Sequence, residues 1–79
     1  MKITGEVVSM STDNRSIVDT KTGQVKNLNI TNILIKDKSG EIFSCRTYNV
    51  LTVVPETGKP YTVDVRRLEK QGLVNNVVF

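Results

Sequence analysis

VKNLNITNILIK, residues 25–36, is the stretch on which the fold turns. Leu28 and Ile30 fall on one parity of an extended chain, and Ile33 and Ile35 on the other. Side chains of a strand alternate between two faces, so a switch of apolar parity inside one strand predicts a bulge, and a bulge bends the strand. Strong bending is what lets a small sheet curl into a barrel. Asp37-Lys38-Ser39-Gly40 then reads as a hairpin turn with the glycine placed for positive φ. The strand that returns is Glu41 to Tyr48. Keeping Arg46 out of the core sends Phe43, Cys45 and Thr47 inward and leaves Ile42, Ser44, Arg46 and Tyr48 outside.

Working outward, the first strand spans Lys2 to Met10, with Ile3, Gly5 and Val7 on one face and Thr4, Glu6 and Val8 on the other. STDNRSIVDTKTGQ, residues 11–24, is rich in side chains that bond their own backbone, and reads as a long loop or a projecting ribbon. Ile17 and Val18 fit a short strand within it, and Lys21-Thr22-Gly23 a turn. Residues 49–60 are broken by Pro55 and Gly58 and make an irregular connection. Tyr61 to Leu68 alternates cleanly, placing Tyr61, Val63 and Val65 inward and Thr62, Asp64 and Arg66 outward. Lys70-Gln71-Gly72 turns the chain into a last strand, Leu73 to Phe79. The expectation is an all-β fold: one domain over residues 1–79, a small five-stranded OB-like barrel, with an SH3-like barrel as the nearest alternative.

A chain of 79 residues holds one small core, and such a core often supplies only about 3 to 5 kcal/mol of net stability. The usual reinforcements are missing: one cysteine, Cys45, excludes an internal disulfide, and with no histidine there is no ligand set for structural zinc. Self-association remains, so a homodimer is expected. A lone thiol fits a reducing compartment, and neither an apolar leader nor a span of the roughly 20 apolar residues a membrane helix needs is found. The expected location is the cytoplasm, with no membrane partner.

Composition also argues against catalysis. General acid–base chemistry at neutral pH rests mostly on histidine, which is absent, and the eight carboxylates are scattered. Cys45, placed between core-facing Phe43 and Thr47 and without a histidine to lower its pKa, reads as an apolar filler rather than a nucleophile. Gly23, Gly40, Gly58 and Gly72 are spaced as turn residues and make no phosphate cradle. The chain is therefore expected not to be an enzyme, and to use no cofactor, metal or small-molecule substrate. It acts by binding.

The net charge of +3 permits a polyanion partner. Barrels of the OB type take oligonucleotides on the face of strands two and three, aided by neighbouring loops. On that face the register puts Asn32, Lys36, Arg46 and Tyr48, and the polar segment beside it adds Arg15, Lys21 and Lys26. Of the adjacent pair Arg66-Arg67 only one can join a given patch, and Arg66 has the outward parity. Basic side chains that track phosphates, with a ring on which bases stack, hold single strands; Arg46 beside Tyr48 is the best such pair. Against this, lysines such as Lys36 and Lys38 also serve on sheet edges to block aggregation. Arg46 and Tyr48 also fit an ordinary surface pair.

The order of a first strand, a basic polar segment ending Lys21-Thr22-Gly23-Gln24-Val25-Lys26, a long bent strand, a hairpin and then Gly58-Lys59-Pro60-Tyr61-Thr62-Val63 resembles the small OB-fold single-stranded DNA-binding proteins of filamentous phages and related mobile elements. The resemblance covers nearly the whole chain. It implies a homodimer in a bacterial host's cytoplasm that coats or protects single-stranded DNA during replication or transfer, without strong sequence preference. Arg15, Lys21 and Lys26 match the basic contacts of the family's projecting loop, and Tyr48 its stacking residue. The chain departs from that family in having no aromatic residue between Met1 and Ile42. Two other functions remain open: a phage- or plasmid-encoded protein-interaction module acting as adaptor or inhibitor, and an RNA-binding barrel.

Overall fold

Extended backbone accounts for most of the chain because its apolar residues are largely β-branched and arrive in short alternating runs. A computed structural model describes all residues, Met1–Phe79. Its strands are β1 (Lys2–Val18), β2 (Val25–Lys36), β3 (Ile42–Thr47), β4 (Pro60–Asp64), β5 (Arg67–Gln71) and β6 (Val74–Val78). They form one sheet in the order β4-β1-β2-β3-β6-β5, antiparallel throughout except for the parallel β3–β6 pair. The protein is thus all-β, a curled, half-barrel sheet. No helix is long and apolar enough to cross a membrane.

β4 and β5 stand at opposite ends of that order yet are separated by only Val65 and Arg66. For two residues to join the two edges, the sheet must bring them together. The Val65 amide donates to the Met1 carbonyl (2.8 Å) and the Arg66 amide to the Val78 carbonyl (2.8 Å), so this corner stitches the start of β1 to the end of β6. The barrel interior is filled by Ile3, Val7, Ile33, Ile35, Phe43, Cys45, Val63 and Val77, with Leu51, Tyr61, Val65 and Phe79 packed around them.

Several sequence expectations are corrected here. There are six strands, not five, because the expected strand Tyr61–Leu68 breaks at Val65–Arg66. The first strand does not stop at Met10: β1 runs on to Val18 and pairs with β2 as far as Val18↔Val25. Residues 11–24 are therefore largely a ribbon, closed by a turn in which the Asp19 carboxylate accepts the Lys21 amide (2.9 Å) and Gly23 takes φ 70°. The last strand starts at Val74, one residue later than expected.

The bulge exists, but on β1 rather than β2. Val7 pairs with Ile35 and Ser9 with Leu34, leaving Val8 as the extra residue. Its effect is a change of parity along β1. Ile3 and Val7 face the core, whereas beyond the bulge Met10, opposite Ile33, takes the inner side. β2 keeps its alternation, and Ile30 is buried on the outer face instead, outside the core cluster.

The ribbon consequently has two faces of different character. Its outer side holds Ser11, Asp13, Arg15 and Ile17 of β1 and Lys26, Leu28, Ile30 and Asn32 of β2. Its inner side holds Met10, Thr12, Asn14, Ser16 and Val18 opposite Ile33, Thr31, Asn29, Asn27 and Val25, with no charged residue among them.

Candidate nucleic-acid interface

Alternation from the buried triad Phe43, Cys45 and Thr47 turns Ser44, Arg46 and Tyr48 to the outside of β3, as the sequence indicated. Asn32 lies directly opposite Arg46, and Lys36 opposite Ile42, so both share that outer face. Arg15, opposite Leu28, and Lys26, opposite Ile17, continue it along the ribbon. From Lys26 to Lys36 the face extends ten residues along β2, about 34 Å at the usual rise. Of the eight residues singled out from sequence, the structure puts six on one surface: Arg15, Lys26, Asn32, Lys36, Arg46 and Tyr48.

The other two lie off it. Lys21 sits in the turn at the tip of the ribbon. Arg66 belongs to the corner between β4 and β5, where its backbone is engaged with Val78. The next residue, Arg67, takes its place, because the break at the corner resets the alternation and β5 points Arg67 and Glu69 to the side of Val78 and Asn76. The doubled arginine was the available signal. No unbroken strand keeps two adjacent side chains on one face, so Arg66-Arg67 marks a choice that only the position of the break decides.

A groove of about 290 Å³ opens between β2–β3 and β5–β6, lined by Asn32, Ser44, Arg46, Arg67, Glu69 and Asn76 above Val77 and Val78. Ser44, Glu69 and Asn76 were not singled out from sequence, since polar residues of this kind carry no signal until the parallel β3–β6 pairing brings them beside Arg46. The guanidinium of Arg46, a lining residue of the groove, lies 5.6 Å from the centre of the Tyr48 ring, a cation–π pair. Tyr48 is 47% exposed, which leaves ring surface open to solvent.

Two of the cations have carboxylate neighbours: Arg15 Nε with Asp13 at 3.3 Å, and Arg67 Nε with Glu69 at 3.8 Å. Both pairs are largely solvent-exposed. Such pairs contribute about 0 to 1 kcal/mol and give way readily to a stronger anion. Burial pushes the Cys45 thiol up to about 11, so it is protonated at neutral pH and sealed inside the barrel.

On the opposite side of the ribbon's base a second groove, about 440 Å³, lies between the uncharged inner face (Met10, Thr12, Asn14) and the 49–55 segment (Val50, Leu51, Val54). The segment is tied down where the Tyr61 hydroxyl donates to the Val53 carbonyl at 2.8 Å. Comparison of the chain with known protein families, curated proteins and solved structures yields no match.

Proposed function

We propose that the chain is an OB-type single-stranded DNA-binding protein that holds an unpaired strand along the outer face of β2 and β3. The architecture supports an OB reading: if β4 and β5 are counted as one bent strand, five strands close in a ring in which the bent one pairs with β1 at one end and β6 at the other. The observation that carries the function is the convergence of Arg46, Arg67 and Asn32 on one polar groove, beside an exposed ring and in line with the ribbon's Arg15 and Lys26. Cations along such a trough neutralise successive phosphates, and the Tyr48 ring offers a stacking surface that any base satisfies. A face of this length suits a handful of nucleotides, within the roughly 4 to 16 that one OB barrel covers. Coating single strands during the replication or transfer of a phage or other mobile element is the role this binding serves.

The test is fluorescence anisotropy of a labelled single-stranded oligomer at two salt concentrations, with duplex and matched RNA controls. Tyr48→Ala is expected to cost about 1 to 3 kcal/mol of affinity, and Arg46→Ala to weaken binding as well, both with the fold intact by circular dichroism. Unchanged affinity in both variants removes the site. Tighter binding of RNA than of DNA reassigns the groove to the other nucleic acid.

A further inference from the structure

Glu69 is out of place in a trough for phosphates. It is the one acidic residue lining the groove between β2–β3 and β5–β6, and a carboxylate repels a phosphate set beside it. The strand register resolves the groove's outer side chains into two rows that cross the sheet. One row is Asn32, Arg46, Val78 and Arg67, each opposite the next on the neighbouring strand. The other is Ser44, Asn76 and Glu69, two residues along and so about 7 Å away. The first row carries both of the groove's cations, and the second carries none. Asn75, the inward neighbour of Asn76, has its carboxamide engaged with Glu41 and the Ile42 carbonyl. Ser44 and Asn76 are half-buried and make no side-chain hydrogen bond within the chain. The Glu69 carboxylate is 3.8 Å from Arg67 Nε, beyond hydrogen-bond reach. The second row is thus a strip of uncommitted polar groups that ends in a pure acceptor.

We infer that this second row reads the edge of one base, and that the base is guanine. The inference rests on the single-strand reading above and adds a preference to it: the cationic row takes a phosphate, and the base of that nucleotide lies over Ser44, Asn76 and Glu69. A carboxylate offers two acceptor oxygens and no donor. Guanine alone among the four bases sets two donors side by side on its pairing edge, the ring N1–H and the 2-amino group. Unpaired bases are open to reading on that edge. Adenine and cytosine each place an amino group next to a bare ring nitrogen, whose lone pair would face the carboxylate. Thymine has a single N–H between two carbonyls. The guanine carbonyl that flanks N1–H needs a donor in turn, and the carboxamide of Asn76, directly opposite Glu69, supplies one. The groove's 290 Å³ has room for one base. The preference therefore concerns one nucleotide per bound chain, while the ribbon's cations and the Tyr48 ring stay indifferent to sequence.

Anisotropy competition among oligothymidylates of about ten nucleotides, plain or carrying one guanine, adenine, cytosine or hypoxanthine, tests it. A single guanine avoids self-structure, and adenine, a purine of the same size, controls for stacking on Tyr48. The guanine oligomer is expected to bind at least about fivefold tighter than the adenine one. Hypoxanthine lacks the 2-amino group, and its oligomer is expected to bind at least about twofold more weakly than the guanine one. Glu69→Gln replaces one acceptor oxygen with a donor, the pattern that suits adenine, so the guanine-to-adenine ratio is expected to fall to about one or below. The strand signal in circular dichroism is expected to persist, because Glu69 is exposed. Affinity for plain oligothymidylate is expected to hold or rise in this variant, since a negative charge is removed. Equal binding of all the bases, a native preference for another base, or a guanine preference that survives Glu69→Gln overturns the inference and leaves the single-strand reading standing. If no oligomer binds at all, it is that reading that fails, and the base preference with it.

Discussion

Gly5 is held to its identity by its surroundings. A Cβ at this position would run into the Lys36 carbonyl and lie 2.6 Å from Ile35 Cγ2, at the end of the β1–β2 pairing beside Glu6↔Lys36 and against the core. Neither obstacle is the free end of a flexible side chain, so the strands would have to part. Gly5→Ala is expected to destabilise the barrel by about 1 to 3 kcal/mol, read as a lower urea midpoint with an unchanged slope; a neutral result would mean that β1 and β2 separate there at little cost. Cys45 illustrates the other use of a small residue. It is fully buried, and burial raises its thiol to about 11. At pH 8 it is expected to resist maleimide or iodoacetamide in the native protein and to react once urea unfolds the chain. Rapid labelling of the folded state would place the thiol nearer the surface.

At the scale of elements, the β2–β3 turn shows how one carboxylate organises a connection. The Asp37 Oδ1 accepts the Ser39 hydroxyl (2.6 Å), the Ser39 amide (2.9 Å) and the Glu41 amide (3.0 Å), while Gly40 supplies φ 87°. The Ser39 hydroxyl foremost, with the amides and against a desolvation penalty, lowers the carboxyl below its ordinary 3.8. A group depressed in the folded state stabilises above its unfolded pKa and loses that contribution as pH falls through the folded value. Native protein is therefore expected to lose thermal stability below about pH 4, and Asp37→Asn to show a shallower loss over the same range. Parallel curves would mean that the turn holds without the charge.

This turn, the inward triad of β3 and the glycine positions were legible in the sequence because each rests on a local rule of alternation or turn chemistry. The bulge was legible in kind but not in place. The parity switch in β2 is real, yet it reflects Ile30 buried on the outer face, while the extra residue is Val8 of β1, where Ile3 and Val7 give way to Met10 on the other parity. The length of the ribbon was hidden for a related reason. Residues 11–24 bury nothing, so they carry no hydrophobic period, and their strand character comes from pairing alone. Half of the groove was invisible because β3 and β6, some thirty residues apart, meet only through the parallel pairing.

For the whole molecule, the arrangement of charge separates two contributions to binding. Lys26, Arg15, Arg46, Arg67 and Lys36 share the outer face, and Lys21 stands at its far end. If each of the six meets one phosphate, the logarithm of affinity for a single strand should fall with the logarithm of salt at a slope of about −4, at roughly 0.7 per contact. Replacing Arg15, Lys21 and Lys26 together by alanine removes half of these charges without touching the barrel core, since all three positions are exposed. The slope is then expected to shrink by about 2, with stability unchanged. Tyr48→Ala should do the reverse, weakening binding at every salt concentration while leaving the slope in place, because stacking releases no counterions. A triple variant with the native slope would mean that the ribbon's cations never reach the strand. The binding face would then shrink to the groove between β2–β3 and β5–β6, large enough for one or two nucleotides but not for a coat.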